Sequence, residues 1–293
     1  MEPKRQKRWL KRGGKLALLL GVLYVMLHWF EHSQVYHPTG EFDTEPGAVG
    51  LRAEDAVFQA ADGVKLHGWF FPALPDSSTN NLVFLVSHGN GGNISHRLGQ
   101  ARALLQTGAA VLLYDYRGYG RSAGRPNEKG TYLDAQAAGA WLRQKGFAAA
   151  NIISYGESLG GAVAAELAVS EPVGGLVLQS TFTSVPNLGS ELFPWLPVRW
   201  LGTIKYDTLS KLPRVTVPVL VMHSRRDSLI GFQHAERNFA AAREPKLFAE
   251  LRGDHNDPVW EEPAYVAAVG KFLEATKLSQ AGAATPPNAP VKP

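Results

Sequence analysis

The sequence predicts an α/β domain built on a mostly parallel sheet with helices on both faces. Three observations carry the prediction. Apolar runs without polar alternation, at 82–87, 110–115 and 175–180, read as strands buried on both sides. Stretches with helical spacing separate them, notably 95–107, 127–145 and the Ala-rich segment running from Ser158 to Ser170. Third, Asn151-Ile-Ile-Ser-Tyr-Gly156-Glu-Ser158-Leu-Gly160 passes from a β-branched run into a helical one with only Gly-x-Ser-x-Gly between. So sharp a turn forces the serine into strained backbone angles and requires a residue without Cβ two positions to either side. The hydroxyl is then held at the top of the sheet, over the positive end of a helix. The five-residue pattern is weak alone; its weight comes from the strand, helix and loops around it.

In chain order, residues 1–15 come first as a basic head, with Lys4, Arg5, Lys7, Arg8, Lys11, Arg12 and Lys15 against Glu2. That local +6 leaves −2 for the rest of a 293-residue chain whose total is +4, so no basic stripe remains for nucleic acid. The apolar run 16–30 follows. As a helix it reaches roughly 22 Å, short of a ~30 Å hydrocarbon core. Lys15 can snorkel, and Tyr24, Trp29 and the upstream Trp9-Leu10 suit the interface, which closes much of the gap. The following Glu31 to Tyr36 offers no Ala-x-Ala-like cleavage site. The expectation is a transmembrane anchor at 16–30, with the head in the cytoplasm and everything after it on the other side. A cleaved signal and an amphipathic surface helix are the alternatives.

Residues 31–52, punctuated by Pro and Gly, read as a linker lying over the domain. Strands at 55–60 and 64–72 flank Asp62-Gly63, a two-residue hairpin signal. Past the serine helix come a strand at 217–223, a helix at 231–242, a strand at 246–251 and a helix at 258–277. The folded domain is thus expected at 53–277, with a disordered Ala/Pro-rich tail at 278–293. At 45% apolar residues the chain can fill a substantial core. The absence of cysteine excludes disulfides, thiolate metal sites and a cysteine nucleophile.

Working groups in such a sheet gather where strands end. After 82–87 stands His88-Gly-Asn90-Gly91-Gly-Asn93, a run of small residues that lets backbone N–H groups approach a ligand. It is not a dinucleotide loop, because Ile94 occupies the third glycine position of Gly-x-Gly-x-x-Gly. Beside the serine turn it is the place for a second oxyanion donor. The pair expected is the N–H of Leu159 with that of Asn90, Gly91 being the alternative to Asn90. His88 and, after 110–115, Arg117 read as structural residues.

A serine nucleophile needs a base, and the base an acid that fixes its tautomer. Only His223, His234 and His255 follow Ser158. The first ends a strand and the second falls inside a helix, whereas His255 sits in a loop after the last strand. Asp227 lies in the loop after the preceding strand. Asp254 and Asp257 are rivals for the acid role, but sequence neighbours rarely reach the ring correctly. No His-Glu-x-x-His or similar spacing supports a metal, and the chemistry calls for no cofactor.

The motifs His88-Gly-Asn-Gly-Gly-Asn93, Asp115-Tyr-Arg-Gly-Tyr-Gly-Arg-Ser122, Gly156-Glu-Ser-Leu-Gly160 and Gly253-Asp-His-Asn-Asp257 resemble those of the α/β-hydrolase superfamily. Over 16–277 the chain is similar to its membrane-anchored Bem-like branch, the serine aminopeptidase-like or lysophospholipase-like hydrolases. The resemblance implies Ser158 as nucleophile, Asp227 as orienting acid and His255 as general base, with a small cap at about 181–214 after the sixth strand. One departure stands out: the loop after the acid usually runs to Val-Pro, and Asp227-Ser-Leu-Ile-Gly-Phe has no proline. The expected activity is hydrolysis of carboxylic esters or thioesters, on small-molecule or lipid-like acyl substrates near a membrane. A peptidase and a non-catalytic binding protein are the alternatives.

Overall fold

The computed structural model describes residues 3–73 and 77–283. Eight strands form one sheet: β1 Glu54–Gln59, β2 Lys65–Phe71, β3 Val83–Ser87, β4 Ala110–Tyr114, β5 Ile152–Glu157, β6 Gly175–Gln179, β7 Val219–Ser224 and β8 Lys246–Leu251. Their spatial order is β8-β7-β6-β5-β3-β4-β2-β1; β1 and β2 are antiparallel additions to an otherwise parallel sheet. The all-apolar runs occupy the middle, where both faces are covered. Alternate residues of β3 and β4 feed opposite cores: Val83, Leu85, Leu112 and Tyr114 one side, Phe84, Val86, Val111 and Leu113 the other. Eight helices accompany the sheet among the described residues: α1 Pro3–Val35, α2 Leu98–Leu105, α3 Glu128–Gln144, α4 Leu159–Ser170, α5 Val185–Leu192, α6 Val198–Leu201, α7 Gln233–Ala241 and α8 Pro263–Ala283. Helices α3 and α4 cover the first face and α2 and α8 the second. The short helices α5 and α6 form the cap between β6 and β7.

Three boundaries differ from the sequence reading. The β1–β2 turn spans three residues, 61–63, because Ala60 N still donates to Val64 O and Gly63 takes φ +87° beyond the pair. Helix α8 starts only at Pro263, after a single 3₁₀ turn at Val259–Glu261, and continues to Ala283. The tail beyond it lies outside the described residues, as do the side chains of Trp9 and Leu10 on which their expected interfacial role rests.

The third difference bears on function. Helix α1 does not stop at residue 30 but runs unbroken to Val35. Its stretch Gly14–Val35 is long and apolar enough to cross a membrane, 22 residues or about 33 Å. Beyond it the chain lies over the domain and is stitched to the loop after β3. His37 and Pro38 pair with Gly91 and Gly92 as a two-residue parallel ladder, and Tyr36 OH meets Tyr206 OH at 3.0 Å in the core.

Candidate active site

Ser158 sits between β5 and α4 with φ 51° and ψ −116°, a conformation unfavourable to any L-residue. The surroundings over-determine it. Its N–H donates to Gln179 O of β6 at 2.9 Å, and its carbonyl accepts from Thr181 Oγ1 at 3.2 Å. A Cβ at Gly156 would lie 2.2 Å from Gly160 O, and one at Gly160 1.9 Å from Ser87 O. Both glycines are therefore demanded by contact between strand and helix. Serine is a favoured helix N-cap, yet Ser158 makes no cap bond to α4. Its hydroxyl is turned instead to His255 Nε2, 3.1 Å away.

His255 and Asp227 arrive from the ends of neighbouring strands, β8 and β7. His255 Nδ1 lies 2.8 Å from Asp227 Oδ2. Because a carboxylate can only accept, the proton sits on Nδ1, leaving the Nε2 lone pair to take the serine hydroxyl. Asp227 is buried, and its other oxygen accepts from Leu229 N and Ile230 N at 3.1 and 2.7 Å. The loop thus holds the acid without the proline of the related motif.

The rival carboxylates are spent on shaping that rim. Asp254 accepts from Ser228 N and Ser228 Oγ at 2.7 and 2.9 Å, bonds that hold its pKa below the usual carboxylate range. Asp257 accepts from Asp254 N at 2.7 Å, closing the turn in which Gly253 has φ +95°. Ser224 Oγ donates to Gly253 O, so the acid's strand and the histidine's loop are tied directly. His223 and His234 hold structural places, as expected. His223 Nε2 donates to Ile230 O at 2.7 Å, and burial lowers its pKa and keeps it neutral. His234 bridges Thr183 and Glu191.

The loop after β3, where the sequence reading expects an oxyanion donor, faces the serine from the other side of the cavity. Leu159 opens α4, so its N–H is one the helix itself leaves unpaired. Asn90 and Leu159 both line the cavity at Ser158, whereas Gly91, in register with His37, is not among the lining residues. Asn90 is held firmly: its side chain donates to Val35 O at 3.1 Å, and its carbonyl accepts from His37 N and Tyr119 OH. Beneath the loop, Asp115 Oδ1 accepts from Ile94 N at 2.9 Å. Burial pushes the Asp115 pKa up to about 7 and that of His88 down to about 3. These residues, 3.7 Å apart, therefore do not form an ion pair, and His88 is a neutral structural residue whose Nδ1 donates to Gly89 O. Arg117 clamps Asp134 and Asp62, which also fits the structural role read from sequence.

Ser158, His255 and both amide-bearing residues line a cavity of about 420 Å³ with a mainly apolar lining, and Asp227 stands behind His255. The cap supplies Leu188, Leu192 and Phe193, and the loop after β7 supplies Leu229 and Ile230. Asn256 also reaches it, a neighbour of His255 that sequence reading passed over. Sequence reading also passed over Glu157, whose carboxylate pairs with Arg97 at 2.9 Å next to the serine. Least expected is α1: Leu27, Phe30, Glu31, Gln34 and Val35 form one wall. No local pattern announces that contact.

Comparison with known proteins agrees with this architecture. The family model for the alpha/beta hydrolase fold matches residues 83–244. The uncharacterized protein Rv2307c of Mycobacterium tuberculosis is 39% identical over 258 residues, covering 87% of this chain and 91% of that one. Protein bem46 of Schizosaccharomyces pombe is 28% identical over 287 residues, with 92% and 95% covered. Among solved structures, the Pyrococcus furiosus esterase Pf2001 superposes with a TM-score of 0.65 at 21% identity, over 82% of this chain and 97% of the other. The chain belongs to the α/β-hydrolase family, in the branch that includes the Bem46 protein.

Proposed function

We propose that this chain is a serine hydrolase, anchored in a membrane by α1, that cleaves carboxylic esters or thioesters of lipid-like acyl groups through an acyl-enzyme. The observation that carries the proposal is the unbroken relay from Asp227 through His255 to Ser158, ending in an apolar cavity beside the N-terminus of α4. Ser158 Oγ attacks the acyl carbonyl as His255 Nε2 accepts its proton. Negative charge then develops on the carbonyl oxygen, and the N–H groups of Leu159 and Asn90 receive it. Each such donor is worth about 10²–10³ in rate. The imidazolium, stabilised by Asp227, returns the proton to the departing alcohol or thiol. Water deprotonated by His255 attacks the acyl-serine in turn, releasing the acid and restoring the hydroxyl.

The lining favours an acyl group over a peptide. An aminopeptidase has to neutralise a substrate ammonium, and Glu31 is the one carboxylate among the described lining residues. Its oxygens already accept from Thr203 N, Thr203 Oγ1 and Ile204 N at 2.6–2.9 Å. The basic head at the N-terminal end of α1 favours an orientation with residues 1–15 in the cytoplasm and the domain on the opposite side.

A series of p-nitrophenyl esters from acetate to palmitate, run beside a lysophospholipid and an aminoacyl p-nitroanilide, tests the assignment. Acyl esters should turn over at least about 10²-fold faster than the anilide, a margin of about 2.7 kcal/mol in barrier. Faster anilide cleavage would reverse the substrate class.

A further inference from the structure

The cavity wall contributed by α1 has no place in a simple tether. The span ends at the site itself: Leu27 and Phe30 line the cavity, while Leu18, Val25 and Trp29 on the same helix are 69%, 64% and 72% exposed. Facing them across the cavity mouth is the cap. Phe30 meets Phe193 edge-on with ring centroids 5.7 Å apart, and Phe193 meets Trp195 likewise at 5.7 Å. Glu31 binds the backbone of Thr203 and Ile204, fixing the segment just after α6 to the last turns of α1. Trp195 and Trp200 stand beside these contacts and are 74% and 89% exposed, with Leu192 and Leu201 also open.

A soluble protein gains nothing by showing two tryptophans to water. Here they flank a helix apolar enough to span a bilayer, at the level where it enters the domain. Tryptophan favours that depth, with its ring among acyl chains and its N–H among headgroups. The surface is therefore continuous with the span, and its occupant is lipid.

We infer that the cap and α1 frame a portal to the bilayer: Trp195 and Trp200 rest in the interface beside Trp29, and a membrane-borne acyl chain passes between Leu27 and Phe30 on α1 and Leu192, Phe193 and Leu201 on the cap to reach Ser158. This rests on the hydrolase reading and deepens it. Substrate is taken laterally from the leaflet, and the anchor is half of the entrance. Depth and rigidity follow from one device, because the Glu31 contacts set the height of the cap against the helix that fixes the membrane.

The chain has no cysteine, so single labels can be placed cleanly. Trp195→Cys, Trp200→Cys and, on the distant edge strand β1, Val57→Cys would each carry an environment-sensitive fluorophore in the full chain, reconstituted in phosphatidylcholine–phosphatidylglycerol vesicles. Brominated lipid should quench the labels at 195 and 200 and leave that at 57 as in water. Equal quenching at all three sites would overturn the portal. So would labels at 195 and 200 that become shielded with rising protein concentration in lipid-free detergent, which would mark a contact between copies.

A second measurement reads the passage. Leu27→Trp should lower the ratio of palmitate-ester to acetate-ester turnover by at least about tenfold, a change of about one decade in relative rate. An unaltered ratio would contradict passage along α1. The two readings fail separately: acetate-ester turnover surviving in Ser158→Ala removes the hydrolase assignment, whereas Ser158-dependent turnover with no quenching at 195 and 200 removes the portal alone.

Discussion

Replacing Ser158 by alanine should lower kcat on acyl esters by about 10⁴–10⁶ while leaving the fold and its thermal transition almost unchanged. The size of the effect follows from the geometry. Among the described residues the Ser158 hydroxyl is the one hydrogen-bonded to His255 Nε2, and without it the imidazole has no side-chain proton to take. What remains is the cavity and the amides of Leu159 and Asn90, which assist water only weakly. The small effect on stability also follows, because Ser158 Oγ makes no cap bond to α4 and its removal breaks no helix contact. Alanine at φ 51° is no more strained than serine, since both carry a Cβ. Ester turnover by purified variant and parent, with circular dichroism melts of both, checks the two halves together.

The largest effect on stability is expected from Gly160→Ala. The new methyl would sit 1.9 Å from Ser87 O, 2.5 Å from Ser87 C and 2.6 Å from His88 O. All three atoms belong to the end of β3 and the start of the oxyanion loop, so no flexible side chain can give way. Relief requires α4 to lift from the sheet, and α4 buries Leu159, Ala162, Val163 and Leu167 in the core. A loss of more than about 4 kcal/mol is expected, in the range where core overpacking and strain become disabling. Chemical denaturation measures it. Gly91→Ala provides the contrast, because nothing lies within 4 Å of its added methyl, and the same experiment should find it close to the parent.

Those two glycines also show what the sequence could disclose. A strand, a Gly-x-Ser-x-Gly turn and a helix are neighbours along the chain, so their steric demands are written locally. The central strands were readable for a similar reason: a segment buried on both faces has no polar positions, whatever it packs against. The order in which strands end supplied Asp227 and His255, since a parallel sheet delivers all its C-terminal ends to one edge. The choice between Asn90 and Gly91 was not written locally. Asn90 lines the cavity while held by residues more than fifty positions earlier, its side chain by Val35 O and its carbonyl by His37 N.

The end of α1 was hidden by a related cause. Glu31-His-Ser-Gln34 is polar and looks like the close of a membrane span. It stays helical because the domain holds it, through Glu31 to Thr203 and His32 to Pro126 O at 3.0 Å. Tertiary contacts of that range leave no period in the sequence. The hairpin at 61–63 turned on Gly63 adopting a left-handed conformation, which a glycine permits but does not announce.

The central claim is that Ser158 is activated by His255, and covalent capture tests it most directly. The full chain treated with a fluorophosphonate should take up one label per molecule, located by mass spectrometry on Ser158, with labelling slowed at least about 10³-fold in His255→Ala. Label on a different serine, or undiminished labelling of Ser158 after the histidine is removed, would contradict it.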